Sequence, residues 1–353
     1  MKKLIALGMS GGVDSSMALE YLKKEWDTIV GANHLVWHDV ACSSEEVITR
    51  ARELCKKSGI PFYCLDVSDE FRARVADNFV CNYTHGLTPN PCVICNQTIK
   101  FTFFYDKLKE KLIADGIMNQ GDELFYSTGH YVRLISKDGR LFLAKARDAS
   151  KDQSYMLYRL PKELLPRCVF PLGEKLKSEI KAEAESLGLN YKSVRESQDI
   201  CFIEGSYGDF ITKYTGKTYK EGYIYDMQGN RLGKHRGYIH YTIGQRKGLG
   251  AFGKPMYVLS VNKADNTVTI GENEELFKST ITVGSLSFLK GAAPAEKFRA
   301  QVKIRCAAQP AEALVTINDG TATVEFETAQ RAAAPGQTAA FYDGETLLGG
   351  SVI

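Results

Sequence analysis

The chain has no apolar run approaching the ~18–20 residues needed to cross a bilayer, so no membrane-spanning segment is expected. No secretory signal is expected either. The stretch from Met1 to Leu7 is apolar only briefly and runs into Gly8 and Ser10 without a small-residue cleavage site. It reads as a first strand, and a cytoplasmic protein is expected. Neither sign of charge is in excess. The net charge of +3 permits a nucleic-acid partner without arguing for one. The nine cysteines are an odd number scattered over 353 residues, which is not a secreted disulfide framework. Most are expected as small buried apolar residues. Internal repeats and low-complexity segments are missing as well. What remains, 44% hydrophobic and 25% charged residues, is ordinary globular composition, with length for two or three domains.

The first half alternates strand and helix signals. Residues 3–7, 29–36 and 62–65 are short apolar runs. Between and after them Met17, Leu19 and Leu22, then Val47, Ile48, Ala51, Leu54 and Cys55, then Phe71, Val75 and Phe79 recur at helical spacing. Ser43 and Glu46 offer a capping box, and Gly59 and Pro61 a stop. This βαβαβα order predicts a parallel sheet covered on both faces. Another strand is expected at 124–128, a hairpin turning at Asp138-Gly139, and helices near Leu157 and over 175–187. After about residue 205 short β-type runs follow at 222–225, 257–261, 267–270, 298–304, 313–317 and 321–326. Asp226 to Asn230, Asn318-Asp319-Gly320 and Asp343-Gly344 punctuate them as turns. The predicted fold is an α/β parallel-sheet nucleotide-binding domain (1–205) followed by two smaller, mainly β domains (206–275 and 276–353).

Two segments carry chemistry. Ser10-Gly11-Gly12-Val13-Asp14-Ser15-Ser16 lies between a strand and a helix. Its glycines let the backbone N–H groups approach an anion, and the helix dipole behind them favours one. Asp14 is odd in a phosphate cradle, because a carboxylate repels phosphate unless a cation intervenes. Mg²⁺ between Asp14 and a pyrophosphate is the expectation. No Gly-Lys-Ser/Thr ending is present, so this is not a kinase-type loop. The string resembles the pyrophosphate loop of enzymes that split ATP into AMP and pyrophosphate while adenylating a substrate oxygen.

In the second segment, Thr88-Pro89-Asn90-Pro91-Cys92-Val93-Ile94-Cys95-Asn96, two prolines stiffen the approach to Cys95. Cys95 is expected near the start of a helix running to Leu112, where the dipole favours a thiolate. Cys201 lies far away in the polar segment 197–202. A structural zinc site, a redox pair, and a nucleophile working with a sulfur-carrying cysteine all remain open. The zinc reading lacks a second C-x-x-C pair. His130 follows an expected strand end, where ligands collect in open α/β sheets. Arg246 and Lys247, in a glycine-rich stretch preceded by Lys234, His235 and Arg236, suit a loop that follows a phosphate backbone.

Many strings in one order extend this reading. They are 8–16, 88–91, Cys95-Asn96 with Ile99-Lys100-Phe101, Thr128 to Tyr131, Lys151 to Tyr155, Ile200 to Ile203, Gly244 to Gly250, and Pro335-Gly336-Gln337. Nearly end to end the chain resembles the tRNA-specific 2-thiouridylases, which modify the wobble uridine. The resemblance implies an ATP site formed by Gly8, Met9, Ser10, Gly11, Gly12, Val13, Asp14 and Ser15 with Gly129. His34 lies at a position beside the adenine where relatives often carry Met. Asn90, Pro91 and Cys92 would face the target base. His130, Lys151, Asp152 and Gln153, with Arg305, Cys306 and Gln337 from the last domain, would contact tRNA. Cys95 would be the nucleophile and Cys201 the persulfide carrier, with Asp14 in the catalytic set. The implied sulfur donor is a cysteine desulfurase or a sulfur-relay protein.

Two departures stand out. Cys92 occupies a position where some relatives have Asp, so Cys92, Cys95 and Cys201 leave an iron–sulfur cluster as an alternative to the persulfide. The stretch 303–308 lacks the aromatic-plus-second-arginine pattern often seen there. Two other functions compete: another ATP-pyrophosphatase ligase, which has no use for Cys95, Cys201 or a basic β domain, and a non-catalytic RNA-binding protein, which has no use for Asp14.

Overall fold

The computed structural model describes residues 3–38, 45–137, 139–189 and 200–353. The expected cap at Ser43, the turn residue Asp138 and the segment 197–199 lie outside these. The chain divides into two compact units, Met1–Val75 with Cys92–Phe202 and Glu345–Leu347, and Ala76–Pro91 with Ile203–Gly344 and Leu348–Ile353.

In the first unit β1 (Lys3–Gly8), α1 (Val13–Leu22), β2 (Ile29–Leu35), α2 (Glu45–Lys57), β3 (Phe62–Asp66) and α3 (Ser68–Phe71) follow one another as the periodicity predicts. The helix expected through Phe79 is interrupted by a π-helical stretch, Arg72–Ala76, before α4 (Asp77–Thr84), which is counted in the second unit. Next come α5 (Pro91–Cys95), a π-helical run Asn96–Phe103, and α6 (Phe104–Ala114). β4 (Glu123–Ser127), the hairpin β5 (Arg133–Lys137) and β6 (Arg140–Ala144), β7 (Cys168–Val169) and α7 (Lys177–Ser186) complete the unit. Near Leu157 only a 3₁₀ turn forms, Ser154–Met156; the Asp152 carboxylate accepts the Ser154 N–H at 3.2 Å and fixes a turn there.

The sheet is five-stranded, in the order β3-β2-β1-β4-β7, and parallel throughout. Leu4, Ile5, Ala6 and Leu7 of the central strand are wholly buried, as a strand covered on both faces must be. On one face Ile5 and Leu7 pack with Met17, Leu19, Cys55 and Ile180. On the other, the rings of Phe101, Phe104 and Tyr105 lie 5.4, 6.2 and 6.0 Å from that of Tyr126. Both layers leave the C-terminal ends of β1, β2 and β4 side by side, with Gly8 opposite Ala32 and Leu7 opposite Ser127.

The second unit contains α8 (Tyr207–Thr215), capped by Ser206, whose hydroxyl accepts the Asp209 N–H at 3.2 Å. Then β8 (Gly222–Tyr225), β9 (Arg231–His235), β10 (Tyr257–Asn262) and β11 (Thr267–Gly271) form a four-stranded sheet in the order β10-β11-β8-β9. The Asp226 carboxylate accepts the N–H groups of Gln228 and Asn230 at 2.9 and 2.8 Å and closes the β8–β9 turn that the sequence predicts. β12 (Phe277–Phe288), β13 (Lys297–Lys303), β14 (Ala311–Asn318), β15 (Thr321–Arg331), β16 (Thr338–Asp343) and β17 (Thr346–Val352) run in the order β12-β15-β14-β13-β16-β17, and β12 pairs back onto β17 to close a barrel. Its interior holds Val283, Val302, Val315, Val324 and Phe341. The α/β domain followed by two mainly β parts is therefore the fold observed. Strands β7, β9, β12, β16 and β17 add to those the sequence predicts.

Candidate active site

The loop after β1 folds on its own polar groups. The Met9 N–H donates to Ala32 O at 2.7 Å, and Asn33 Nδ2 donates to Met9 O at 2.6 Å. Ser15 Oγ receives the Ser10 N–H at 3.2 Å and donates to Gly12 O at 3.1 Å, and Ser16 Oγ donates to the same carbonyl at 3.0 Å. Gly11 adopts φ +67°, and a Cβ there would come within 2.8 Å of Val47 O, so the turn requires glycine. Gly12 precedes the first turn of α1, and Val13 and Asp14 open the helix. Gly129, beyond β4, packs so closely that a Cβ would lie 3.2 Å from the Ser15 N and 3.3 Å from Asp14 Cβ. The predicted ATP residues of the loop and Gly129 are thus one cluster at the C-terminal edge of the sheet, where the helix N-terminus presents its N–H groups.

Asp14 is held from two sides. Lys177 Nζ lies 2.7 Å from Oδ1 and 2.8 Å from Oδ2, and the Tyr131 hydroxyl donates to Oδ1 at 2.7 Å. Lys177 carries no signal in the sequence pattern. Tyr131 lies in a quoted string without a role of its own.

His34 ends up near the same edge, its ring 5.2 Å from that of Phe104, and His130 Nδ1 is 2.7 Å from Thr128 Oγ1. Burial, assisted by the Lys100 ammonium, pushes both imidazoles down to about 3, so both are neutral near pH 7. Each ring keeps some surface open to solvent, which moderates the shift without changing its direction. Asn96 is buried, with its Oδ1 lacking a hydrogen-bond partner.

Cys92 lies in the first turn of α5 and Cys95 at its last residue. The helix begins at Pro91, earlier than the sequence suggests, so its dipole acts most strongly at Cys92. Cys95 is 7% exposed, whereas Cys201 is exposed. No two of the described cysteines are joined in a disulfide. Among the described residues no three His, Cys, Asp or Glu side chains are close enough to share a metal ion. Cys92, Cys95 and Cys201 are not gathered as such a group among the described residues.

Several residues predicted as RNA contacts hold backbone in place. Asp152 accepts the N–H groups of Ala146 and Ser154 and the Ser154 hydroxyl, at 3.0, 3.2 and 2.9 Å. Gln153 Oε1 accepts the Tyr131 N–H at 2.9 Å, and its own N–H returns to Tyr131 O at 2.9 Å. Lys151, next to them, is half-buried. In the second unit Gln337 Nε2 donates to Thr88 O at 2.8 Å, just before Asn90 and Pro91. Arg305 donates to Ala332 O at 3.0 Å and to Ile243 O at 2.8 Å, at the root of the basic loop. Cys306, Arg246 and Lys247 are exposed. A groove of about 310 Å³ runs beside this loop, lined by Arg246, Leu249, Phe252, Lys254 and Met256 among others.

A family model for the tRNA methyl transferase HUP domain matches residues 3–205. Models for a tRNA methyl transferase PRC-barrel domain and an aminomethyltransferase β-barrel domain match 208–272 and 278–353. The chain is 40% identical to the tRNA-specific 2-thiouridylase MnmA of Acetivibrio thermocellus, covering 100% of this chain and 99% of that one. It is 38% identical to the protein of the same name from Clostridioides difficile, covering 100% and 98%. A solved structure it resembles distantly is the U34-tRNA thiolase NcsA from Methanococcus maripaludis, with a TM-score of 0.33 and 16% identity over 61% of this chain and 65% of that one. That likeness is too slight to bear on mechanism.

Because both imidazoles are held below their unfolded value, they stabilise the fold above pH 6.5 and progressively less below it, down to about 3. Chemical denaturation between pH 7 and 4.5 should show stability falling by at most about 1.4 kcal/mol per pH unit for each ring. His34→Gln and His130→Gln should each flatten that slope. A slope unchanged in both variants would mean that the rings are not held neutral.

Proposed function

The chain belongs to the tRNA-specific 2-thiouridylase family, and on that footing we propose that it uses ATP to place sulfur at position 2 of the wobble uridine of tRNA. The observation that carries this reading is the pyrophosphate-type loop from Ser10 to Ser15, folded at the end of β1 in a chain related end to end to thiouridylases. Residues 1–205 act as the adenylating domain, and 206–275 and 276–353 serve tRNA. Among the described residues no helix is long and apolar enough to cross a membrane, and a cytoplasmic location suits a tRNA substrate.

The chemistry follows in steps. The wobble base leaves the anticodon stack, because its reacting edge is not accessible within it. Its O2 attacks the α-phosphorus of ATP. The bond to pyrophosphate breaks, the N3 proton is lost, and an O-adenylated base forms. The N–H groups of the loop and of the first turn of α1 are placed to bind the departing phosphates. Magnesium enters with ATP as its counter-ion. The surroundings of Asp14, an ammonium and a phenol, do not fit a protein-held metal there. The terminal sulfur of a Cys201 persulfide then attacks C2, and the C2–O bond breaks as AMP leaves. The Cys95 thiolate attacks Cys201 Sγ, forming a Cys95–Cys201 disulfide and leaving the electron pair on the 2-thio group. The transferred sulfur gains two electrons and the two thiols lose them, so an external thiol must reduce the disulfide before the next cycle. The exposures fit this division. A carrier loaded by a cysteine desulfurase or relay protein must be reachable, as Cys201 is, and the resolving thiol is better shielded, as Cys95 is. No step runs through an iron–sulfur cluster.

Pyrophosphate release from ATP should require tRNA. This separates the proposal from an ATP-pyrophosphatase acting on another acceptor and from a non-catalytic RNA-binding protein. Cys95→Ser and Cys201→Ser should each abolish 2-thiouridine, measured by nucleoside mass spectrometry, while tRNA-dependent pyrophosphate release persists. Equal loss of both signals would place these thiols before adenylation and refute their roles.

The basic loop makes a separate prediction. Arg246→Ala combined with Lys247→Ala should weaken tRNA binding and reduce the slope of log K against log salt by about two units, one per lost phosphate contact. Affinity for ATP should be unchanged. Filter binding over a salt series would show an unaltered slope if the loop is only a solvated surface.

A further inference from the structure

A carboxylate beside a triphosphate must be neutralised, and in this protein the neutralising cation is part of the chain. Lys177 is buried, and its ammonium spans both oxygens of Asp14. It occupies the first helical residue of α7, where the helix dipole disfavours a cation. Helix propensity therefore does not account for a lysine at this position, and the Asp14 carboxylate does. The residue is fixed as well as paired. Its N–H donates to Asp148 Oδ2 at 2.9 Å, and its ammonium lies 5.7 Å from the centre of the Tyr131 ring. Tyr131 is itself held by Gln153 through its N–H, while its hydroxyl meets Asp14. Two segments far apart in the chain thus converge on one carboxylate in the first turn of α1, just after Gly11 and Gly12.

Magnesium takes close to six oxygen ligands in near-octahedral geometry. Around Asp14 the described residues offer an ammonium and a phenol hydroxyl, and no group of three or more His, Cys, Asp or Glu side chains gathers among them. The surroundings are those of an ion pair.

We propose that Lys177 is a positioning residue of the adenylation site, an internal counter-ion that cancels Asp14 and, with Tyr131, fixes the loop in the shape that receives the phosphates of ATP. This rests on the ATP-dependent reading above and assigns Asp14 to Lys177 instead of to a metal. The assignment has a consequence of definite sign. Lys177→Met leaves the Asp14 charge uncancelled beside the phosphates. Removing that charge as well, with Asp14→Asn, relieves the defect.

The test is a double-mutant cycle on the full-length protein, titrated calorimetrically with the non-hydrolysable analogue α,β-methylene-ATP in excess magnesium. Lys177→Met should weaken binding about tenfold or more, as loss of one partner of a poorly solvated ion pair does. Asp14→Asn should weaken binding less than Lys177→Met does, and the double variant should return to within about threefold of Asp14→Asn, the signature of coupled sites. Lys177→Arg, which keeps the charge, should fall between wild type and Lys177→Met. If Asp14 instead serves a metal, Asp14→Asn alone is severe and the double variant is no better than Lys177→Met; that result overturns the proposal. Thermal melts of the ligand-free proteins test the pair independently of ATP. A lowered midpoint in Lys177→Met that recovers in the double variant supports the pair, and equal loss in both overturns it. A wild-type chain that binds tRNA but no ATP analogue refutes the functional reading instead, and the melts still decide the pair.

Discussion

The placement of β1 at the centre of a parallel sheet governs the first unit. A strand buried on both faces has no freedom of register, because slipping by one residue would bring the wrong side chains to each face. With Gly8 fixed opposite Ala32 and Leu7 opposite Ser127, the chain must leave the sheet at Met9 beside the exits of β2 and β4. The loop at Ser10, the ring of His34 and the turn at Gly129-His130 are neighbours for that reason. An open α/β sheet binds ligands at such a strand edge. The chemistry proposed for this chain needs nucleotide, base and thiol brought together, and in that proposal this edge supplies the nucleotide end.

In the irregular segments of both units, polar side chains serve the backbone before they can serve a ligand. Asp152 and Gln153, read from the sequence as RNA contacts, satisfy N–H groups of Ala146, Ser154 and Tyr131. Gln337 and Arg305 do the same for the carbonyls of Thr88, Ile243 and Ala332. Irregular segments have no ladder to pair their peptide groups, so side chains must supply the partners. Residues of this kind shape the turns in which they sit. Arg246 and Lys247 are exposed, and in the proposed function they are the cations that meet phosphate and carry the salt-dependent part of affinity.

Much of this was legible in one dimension. The Ser10–Ser16 string announces its turn because φ > 0 at Gly11 and the helix start behind it are local requirements. The strands at 222–225 and 313–317 are flanked by Asp- and Gly-rich turns that act over a few residues. Strands β12, β16 and β17 were harder to read. Thr338 to Asp343 holds Thr, two Ala, Phe and Tyr, all buried, with no alternation to mark a face. Its place between β13 and β17 in the barrel is what makes that run a strand. Likewise the helix at Cys95 begins at Pro91, a proline suited to a first helical position, although the sequence reads it as stiffening an approach.

The sequence by itself determined the parallel α/β order, the phosphate-type loop and the family, because each is written in residues close together or in strings kept in order. The tertiary structure alone decided which cation faces Asp14, which cysteine is shielded, and which polar residues are spent on the backbone. Lys177 and Asp14 stand 163 positions apart, and nothing in the composition around either one names the other. Their meeting depends on how α7 packs beside α1, through Met17 and Ala18 against Ile180 and Ala184. Apolar patterning specifies which face of a helix is buried, but the azimuth and height that bring one ammonium onto one carboxylate emerge only when both helices are seated on the same sheet.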